Sequence, residues 1–422
     1  MSLTASFYSA LSGLDANSTA MQVIGNNIAN LNTTGFKSST VQFEDVLGQS
    51  LNTVSGTYGL GVGTKVSSVD DNFTQGSLDT TNVATDVAIN GQGFFIVRDP
   101  TSDEDYYTRA GDFSMDNQGY LVDSQGQRVQ GYLYDDTGTN QIQTLADIQV
   151  NESNMVPPKA TTAVDMSLNL ISSDPTTTFN ITNPGGTSTF STDLSIYDTE
   201  GQGHTISIYF TKTASQTWQW NATIDGSDVK GGTAGTPMLF GSGTLAFDNS
   251  GALETGMPVD FYTAGGITFA DGVAASAETI DFTGSTQYGT SSAVQTLKQD
   301  GYAAGTLSGV TINNQGILVG NYTNGQVKNI AQLVLANFPN TDGLSKAGSS
   351  LYEASTSSGV PLVNTPGVGG AGTISSGMLE ESNVDLAGQF VQMIISQQAY
   401  QANSKVISTT DDMLTALMNS KQ

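Results

Sequence analysis

Both ends of this chain carry apolar residues at a seven-residue spacing, which restricts each end to a long amphipathic helix. At the N-terminus Phe7, Leu14, Met21 and Ile28 form one column. Leu3, Ala10, Ile24 and Leu31 occupy the complementary positions, interrupted by Asn17. At the C-terminus Leu379, Leu386, Met393, Tyr400, Ile407 and Leu414 form an unbroken column, widened by Phe390, Ile394, Val406 and Met418. No proline precedes Pro100 or follows Pro366, so neither helix is broken by one. The pattern predicts helices over 1–31 and 383–422, with Asn383 as N-cap and Asp385 in the first turn. A run of about 29 residues spans about 43 Å. Helices of this kind draw their stability from packing an apolar face, so they must pair with each other or with copies of themselves. Neither seam has an evident partner before assembly, which predicts ends that are mobile in the monomer and helical in a polymer.

Between the helices the texture is β. The segments 113–122 (FSMDNQGYLV), 245–254 (LAFDNSGALE) and 310–319 (VTINNQGILV) share one design. Each has apolar alternation, a tight turn opened by Asp or Asn and containing Gly, then a second apolar run. That reads as a β-hairpin, with the glycine supplying a positive φ. Their spacing is irregular, which excludes a solenoid. Further strands are expected at 93–98, 204–210 and 216–224. Residues 345–377, rich in Ser and Gly with Pro361 and Pro366, read as an extended linker. The fold class is therefore mainly β with long α-helical termini.

Charge narrows the function. Against 39 Asp and Glu stand 13 Lys and Arg, a net charge of −26. Nucleic acid binding needs a basic footprint that is missing, and anionic membrane surfaces are disfavoured for the same reason. Residues 1–40 hold only Asp15 and Lys37, so the acidity lies mostly in the middle of the chain. Neutral ends that associate and an acidic middle that faces water follow from this division. There is no cysteine, as suits a chain exported unfolded without cross-linking. No cleavable signal peptide and no membrane-spanning run is visible, so export without a cleaved signal and no membrane insertion are expected.

Catalytic chemistry finds little support. His204, the sole histidine, sits in the alternating stretch HTISIYF and reads as a strand residue rather than a base. One histidine and no cysteine leave His-based triads without support and exclude the common zinc sites. No phosphate-binding loop and no G-x-S-x-G elbow occurs. The cluster Asp99, Asp103, Glu104, Asp105 lacks the spacing of a calcium loop and reads as a solvated turn. No cofactor, metal or catalytic residue is assigned, and the chain is expected not to be an enzyme.

The segment ANLNTTGFK (29–37) follows directly on the N-terminal heptads and resembles the signature of the flagellar rod, hook and hook-associated axial family. Its residues are Ala29, Asn30, Asn32, Thr33, Gly35, Phe36 and Lys37. The segment from Ser382 to Asn419 resembles the C-terminal helix of the same family, and INGQGFFIV (89–97) the start of its inner β domain. Gln398 stands where the family often carries Arg. The resemblance implies four regions. A terminal helical coiled-coil domain takes 1–31 and 383–422, and an extended connecting region takes 32–88 and 345–382. A split inner β domain takes 89–148 and 290–344, and an inserted outer β domain takes 149–289.

That insertion, together with segments 286–316 and 322–340, resembles the hook-type branch of the family. It implies a helical homopolymer: a flexible curved tube that transmits torque as a universal joint. The assembly residues would be Leu3, Phe7, Leu14, Met21, Ile24, Ile28 and Leu31 on one helix. On the other they would be Leu386, Phe390, Met393, Ile394, Tyr400, Ile407, Leu414 and Met418. The implied partners are the chain itself, the distal rod, the hook-filament junction proteins, the hook cap and the flagellar type III export apparatus. The implied location is extracellular, at the flagellar basal body and hook. A distal rod protein with an insertion, a secreted β-rich adhesin and a secreted carbohydrate-active enzyme remain as alternative readings.

Overall fold

The computed structural model describes residues 3–53, 56–135, 137–150, 155–262, 267–273 and 279–419, with the side chains at 3–5, 48–53, 56–60 and 417 outside that description. The chain forms two compact units. One comprises 1–151, 309–321 and 327–422, the other 152–308 and 322–326.

In the first unit the heptad columns become two helices, Leu3–Ala29 and Leu386–Asn419. The N-cap of the second is Asp385, whose side-chain Oδ1 accepts from Ala387 N at 3.1 Å and whose carbonyl accepts from Gln389 N at 2.9 Å. This corrects the assignment to Asn383, whose side chain is engaged elsewhere. The helices also have a partner within the chain, because they pack on one another. The expectation of unpartnered ends is corrected accordingly.

Residues 32–88, expected as an extended connection, contain a long antiparallel hairpin, Ser39–Thr53 against Gly56–Asp71. It packs along the N-terminal helix, where Ser12 Oγ accepts from Thr64 N at 3.2 Å. The core sheet runs in the order 307–312, 317–322, 327–333, 128–134, 94–98, 105–108, 351–353 and 345–348. Its apolar centre joins Phe94, Ile96, Tyr107, Val334, Ala336 and Tyr352. The region 345–377 is not an open linker: Leu351–Glu353, Leu362–Asn364 and Thr373–Ser376 are short strands that pair with earlier ones. Its Ser and Gly residues make the closely spaced turns between strands only three or four residues long.

All three expected hairpins form, and one device builds their turns. Oδ1 of Asp116, Asp248 and Asn313 accepts the backbone N–H groups two and four residues ahead, at 2.8–3.0 Å. The turn glycine in each sits at φ +81°, +81° and +73° (Gly119, Gly251, Gly316). Asp123 and Asp198 close turns in the same way.

The second unit has two four-stranded sheets. One orders Phe190–Tyr197, Gly203–Ala214, Thr217–Asp225 and Pro237–Ala246, antiparallel throughout. The other joins Val259–Asp260, Thr279–Asp281, Ala163–Asn169 and Ala293–Gln299. Alternate side chains of both sheets meet in one core around Met166, Leu168, Phe210, Trp218, Trp220 and Phe282. The insertion expected to close at 289 extends further, because Ala293–Gln299 pairs with Ala163–Asn169.

Candidate assembly surface and its buried anchor

The two long helices run antiparallel. Gly13 lies against the Asn403 side chain, so that a Cβ there would stand 2.6 Å from Asn403 Nδ2. Two heptads along, Asn27 Nδ2 donates to Gln389 Oε1 at 3.1 Å. The buried side of the N-terminal helix is Ala10, Gly13, Ala16, Ala20, Ile24 and Asn27. The buried positions opposite are Ser396 and Thr410, with Asn403 between them half-buried. Small residues line this contact because close approach of two backbones leaves no room for large ones.

The predicted columns flank that narrow face. Phe7, Leu14, Met21, Ile28 and Leu31 are half-buried, as are Met393 and Ile407, while Ile24 is buried. Leu386, Tyr400 and Leu414 lie at the border at 37–40% exposure. Phe390, Ile394, Val406 and Met418 are openly exposed, together with Val391, Ile395 and Met413. The Leu3 side chain lies outside the described residues. The C-terminal helix thus presents an apolar face to solvent along much of its length.

The 29–37 segment leaves the N-terminal helix and is fixed at its far end. Asn30 Nδ2 donates to Asn26 O at 2.9 Å and Thr33 Oγ1 to Asn30 Oδ1 at 3.0 Å, while Ala29 and Asn32 are exposed. Gly35 is buried at φ +67°, and a Cβ there would lie 2.5 Å from Ala110 N, so only glycine fits. Its N–H donates to Glu380 O at 2.7 Å. Phe36 is half-buried, with Lys346 Nζ 6.0 Å over its ring.

Lys37 is fully buried and pairs with Glu380 Oε1 at 2.6 Å, also donating to Thr74 O at 2.8 Å. Arg109 Nη1 reaches Glu380 Oε2 at 3.4 Å, and Arg109 Nη2 donates to Gly91 O at 2.9 Å. Gly76 N donates to the same carboxylate at 2.8 Å. Burial pushes the Lys37 ammonium below the usual lysine range, and Glu380 opposes that shift. Asn383 completes the junction: its Oδ1 accepts from Ser38 N at 2.8 Å and its Nδ2 donates to Asn72 O at 2.7 Å. Asn27 likewise exchanges two hydrogen bonds with the Ser39 backbone, at 2.8 and 2.9 Å.

Glu380, Arg109 and Asn27 escaped the sequence reading, since ion pairs and hydrogen bonds between separate segments leave no periodic signal. Lys37 was the available clue, a lone cation in an otherwise neutral stretch. His204 lies buried in the strand Gly203–Ala214, as its alternation predicted. In the acidic turn, Asp105 Oδ1 accepts from Arg98 Nε at 2.7 Å. No helix among the described residues is long and apolar enough to cross a membrane.

Antiparallel terminal helices are thus tied by a buried charge junction to a strand-rich body. Four family descriptions match in order. They are the flagella basal body rod protein at 7–37, the flagellar hook protein FlgE/F/G D1 domain at 88–169, the flagellar basal body protein FlaE D2 domain at 167–302, and the flagellar basal body rod FlgEFG protein C-terminal at 375–420. The chain is 37% identical to the flagellar hook protein FlgE of Salmonella typhimurium, over 98% of this chain and 99% of that one. It is 34% identical to the FlgE of Treponema pallidum, over 99% of both. The chain belongs to the flagellar hook protein FlgE family. A crystal structure of Helicobacter pylori flagellar hook protein FlgE2 aligns with 72% of this chain and 100% of that chain, at 16% identity and a TM-score of 0.49.

Proposed function

We propose that the chain is the structural subunit of the flagellar hook, polymerising into a curved, flexible tube that transmits torque from rod to filament. The observation that carries this reading is the exposed apolar face of the C-terminal helix, from Phe390 to Met418, on a chain whose relatives are hook proteins throughout its length. A face of that size excludes water when it meets copies of itself, and identical contacts repeated at a fixed rotation build a helical polymer. The terminal helices form coiled coils lining the inner tube, and the first unit's β body surrounds them. The subunit is non-catalytic. Its partners are its own copies, the distal rod, the hook-filament junction proteins, the hook cap and the flagellar type III export apparatus. It acts extracellularly, at the flagellar hook.

Electron microscopy of the purified full chain after salting out tests this reading. Curved tubes are expected. Straight tubes would favour a rod protein, and monomers under all conditions would overturn assembly as the function.

A further inference from the structure

The second unit holds a group of titratable side chains away from the terminal helices. Asp198, His204 and Asp271 each direct one ligand atom into a common space, those atoms lying within 4.8 Å of one another. Asp198 and His204 are buried at opposite ends of a tight turn between strands, and Asp271 stands on a separate exposed loop.

Each group is already held by its other atoms. Asp198 Oδ1 accepts from Glu200 N and Gln202 N at 2.8 and 2.9 Å, which leaves Oδ2 aimed at the imidazole. Asp271 Oδ1 accepts from Val273 N at 2.9 Å, and its carboxyl interacts with the Asp198 carboxylate. The His204 ring is stacked on Phe269, with centroids 3.7 Å apart and planes at 5°. Phe269 lies two residues before Asp271, so one loop both orients the ring and delivers a carboxylate.

Two features point to a cation. The distance from His204 Nε2 to Asp198 Oδ2 is 3.3 Å. That is long for a charge-assisted hydrogen bond. It matches two ligands at about 2.0–2.1 Å from one tetrahedral metal, which stand about 3.3–3.4 Å apart. In addition, His204 Nδ1 is buried with no hydrogen-bond partner, and the nearest carboxylate oxygen is Asp228 Oδ2 at 3.9 Å. An imidazole that binds metal through Nε2 carries its proton on Nδ1, on the side of the ring that faces the Asp228 carboxylate, which attracts that proton without a direct hydrogen bond. Three carboxylates thus converge on one imidazole, and among the described residues no Lys or Arg ion-pairs with any of them. A dication offsets that concentration of negative charge.

We propose that Asp198 Oδ2, His204 Nε2 and Asp271 form a binding site for one divalent transition-metal cation of the Zn²⁺ type, with Phe269 orienting the imidazole. The nitrogen ligand disfavours Ca²⁺ and Mg²⁺, which take oxygen shells. The three protein ligands leave a fourth position for water. The site pins the 269–273 loop to the turn at 198–204 and so stiffens the second unit.

The chain's single histidine makes the test direct, since its imidazole gives the only such resonances in the protein. Zn²⁺ is titrated into the full-length monomer at low salt while the imidazole ¹⁵N and ¹H signals are followed. We expect a shift that saturates at one equivalent, with Nε2 metal-bound and Nδ1 protonated. Asp271→Asn should weaken binding by about tenfold or more. Asp271 is exposed, so this variant keeps its fold where His204→Gln loses it. Unmoved imidazole signals, equal affinity in Asp271→Asn, or Ca²⁺ acting as well as Zn²⁺ would each overturn the assignment.

Discussion

Lys37 Nζ lies 2.6 Å from Glu380 Oε1 with both side chains fully shielded from solvent, although 343 residues separate them in the chain. The pair joins the segment leaving the first long helix to the segment entering the last. Arg109, from the β body, shares the same carboxylate. Removing one partner from such a group leaves an uncompensated buried charge. Glu380→Gln should therefore cost the first unit about 3–5 kcal/mol in urea unfolding of the monomer. Adding Lys37→Met should cost less than the sum of the single changes, because the ammonium no longer lacks its partner. Additive losses would show that the two residues act independently.

Gly35 tests the same junction through the backbone. Its φ of +67° and the 2.5 Å approach of a Cβ to Ala110 N both forbid a side chain. Gly35→Ala should lose about 1–3 kcal/mol from the dihedral alone, and more from the clash. Thermal unfolding should show a lower midpoint, whereas Gly25→Ala, where a Cβ meets nothing within 4 Å, should not.

The exposed face of the C-terminal helix separates stability from assembly. Phe390 and Ile394 are 48% and 53% exposed, so Phe390→Ser and Ile394→Ser should each change monomer stability by about 0.5 kcal/mol or less. Both should raise the critical concentration for polymerisation, read by sedimentation of polymer from monomer. Ile407→Ala, at a half-buried site beside the helix contact, should reduce both. Unchanged polymerisation in the Phe390 and Ile394 variants would remove this face from the interface.

Net charge sets the ionic conditions for assembly. A subunit at −26 repels its copies. Raising salt from 0.01 to 0.1 M shortens the Debye length from about 30 to about 10 Å. Light scattering across a salt series should show a critical concentration that falls as salt rises. A flat or rising value would mean that repulsion does not oppose assembly.

Asp300 governs the acid response of the second unit. Its carboxylate accepts from Thr162 N, Ala163 N, Thr162 Oγ1 and Lys159 Nζ at 2.7–3.0 Å. Partial burial works to raise its pKa, but the donors, led by Ala163 N–H, outweigh it and hold the carboxyl well below the usual range. A carboxylate depressed on folding adds stability above its unfolded pKa of about 3.9, and that stability is lost as pH falls toward the folded value. Asp300→Asn should lose about 1–3 kcal/mol at pH 7. The gap to the parent should close below about pH 4, as denaturant unfolding at a series of pH values would show.

Local order was legible from the chain. Period seven at both ends specified the helices, with their inner ends within three residues of Ala29 and Leu386, because an amphipathic helix repeats its signal at every turn. The Asx-to-Gly turns specified three hairpins, because one side chain and one positive φ suffice to build each. Tertiary structure alone decided which surface of each helix is buried. The large columns from Phe7 to Ile28 and from Leu386 to Leu414 looked like the seam. The buried contact instead includes Gly13, Asn27, Gln389 and Asn403, with Ile24 the only large apolar residue buried on the N-terminal helix among the described residues, because backbone approach favours small and polar residues. It also decided that Lys37 meets Glu380 and Arg109, and that Asp198, His204 and Asp271 converge. Except for Asp198 and His204, which share one turn, those encounters join segments far apart in sequence. A charge carries no periodicity that announces its partner, and only the folded path brings the two together.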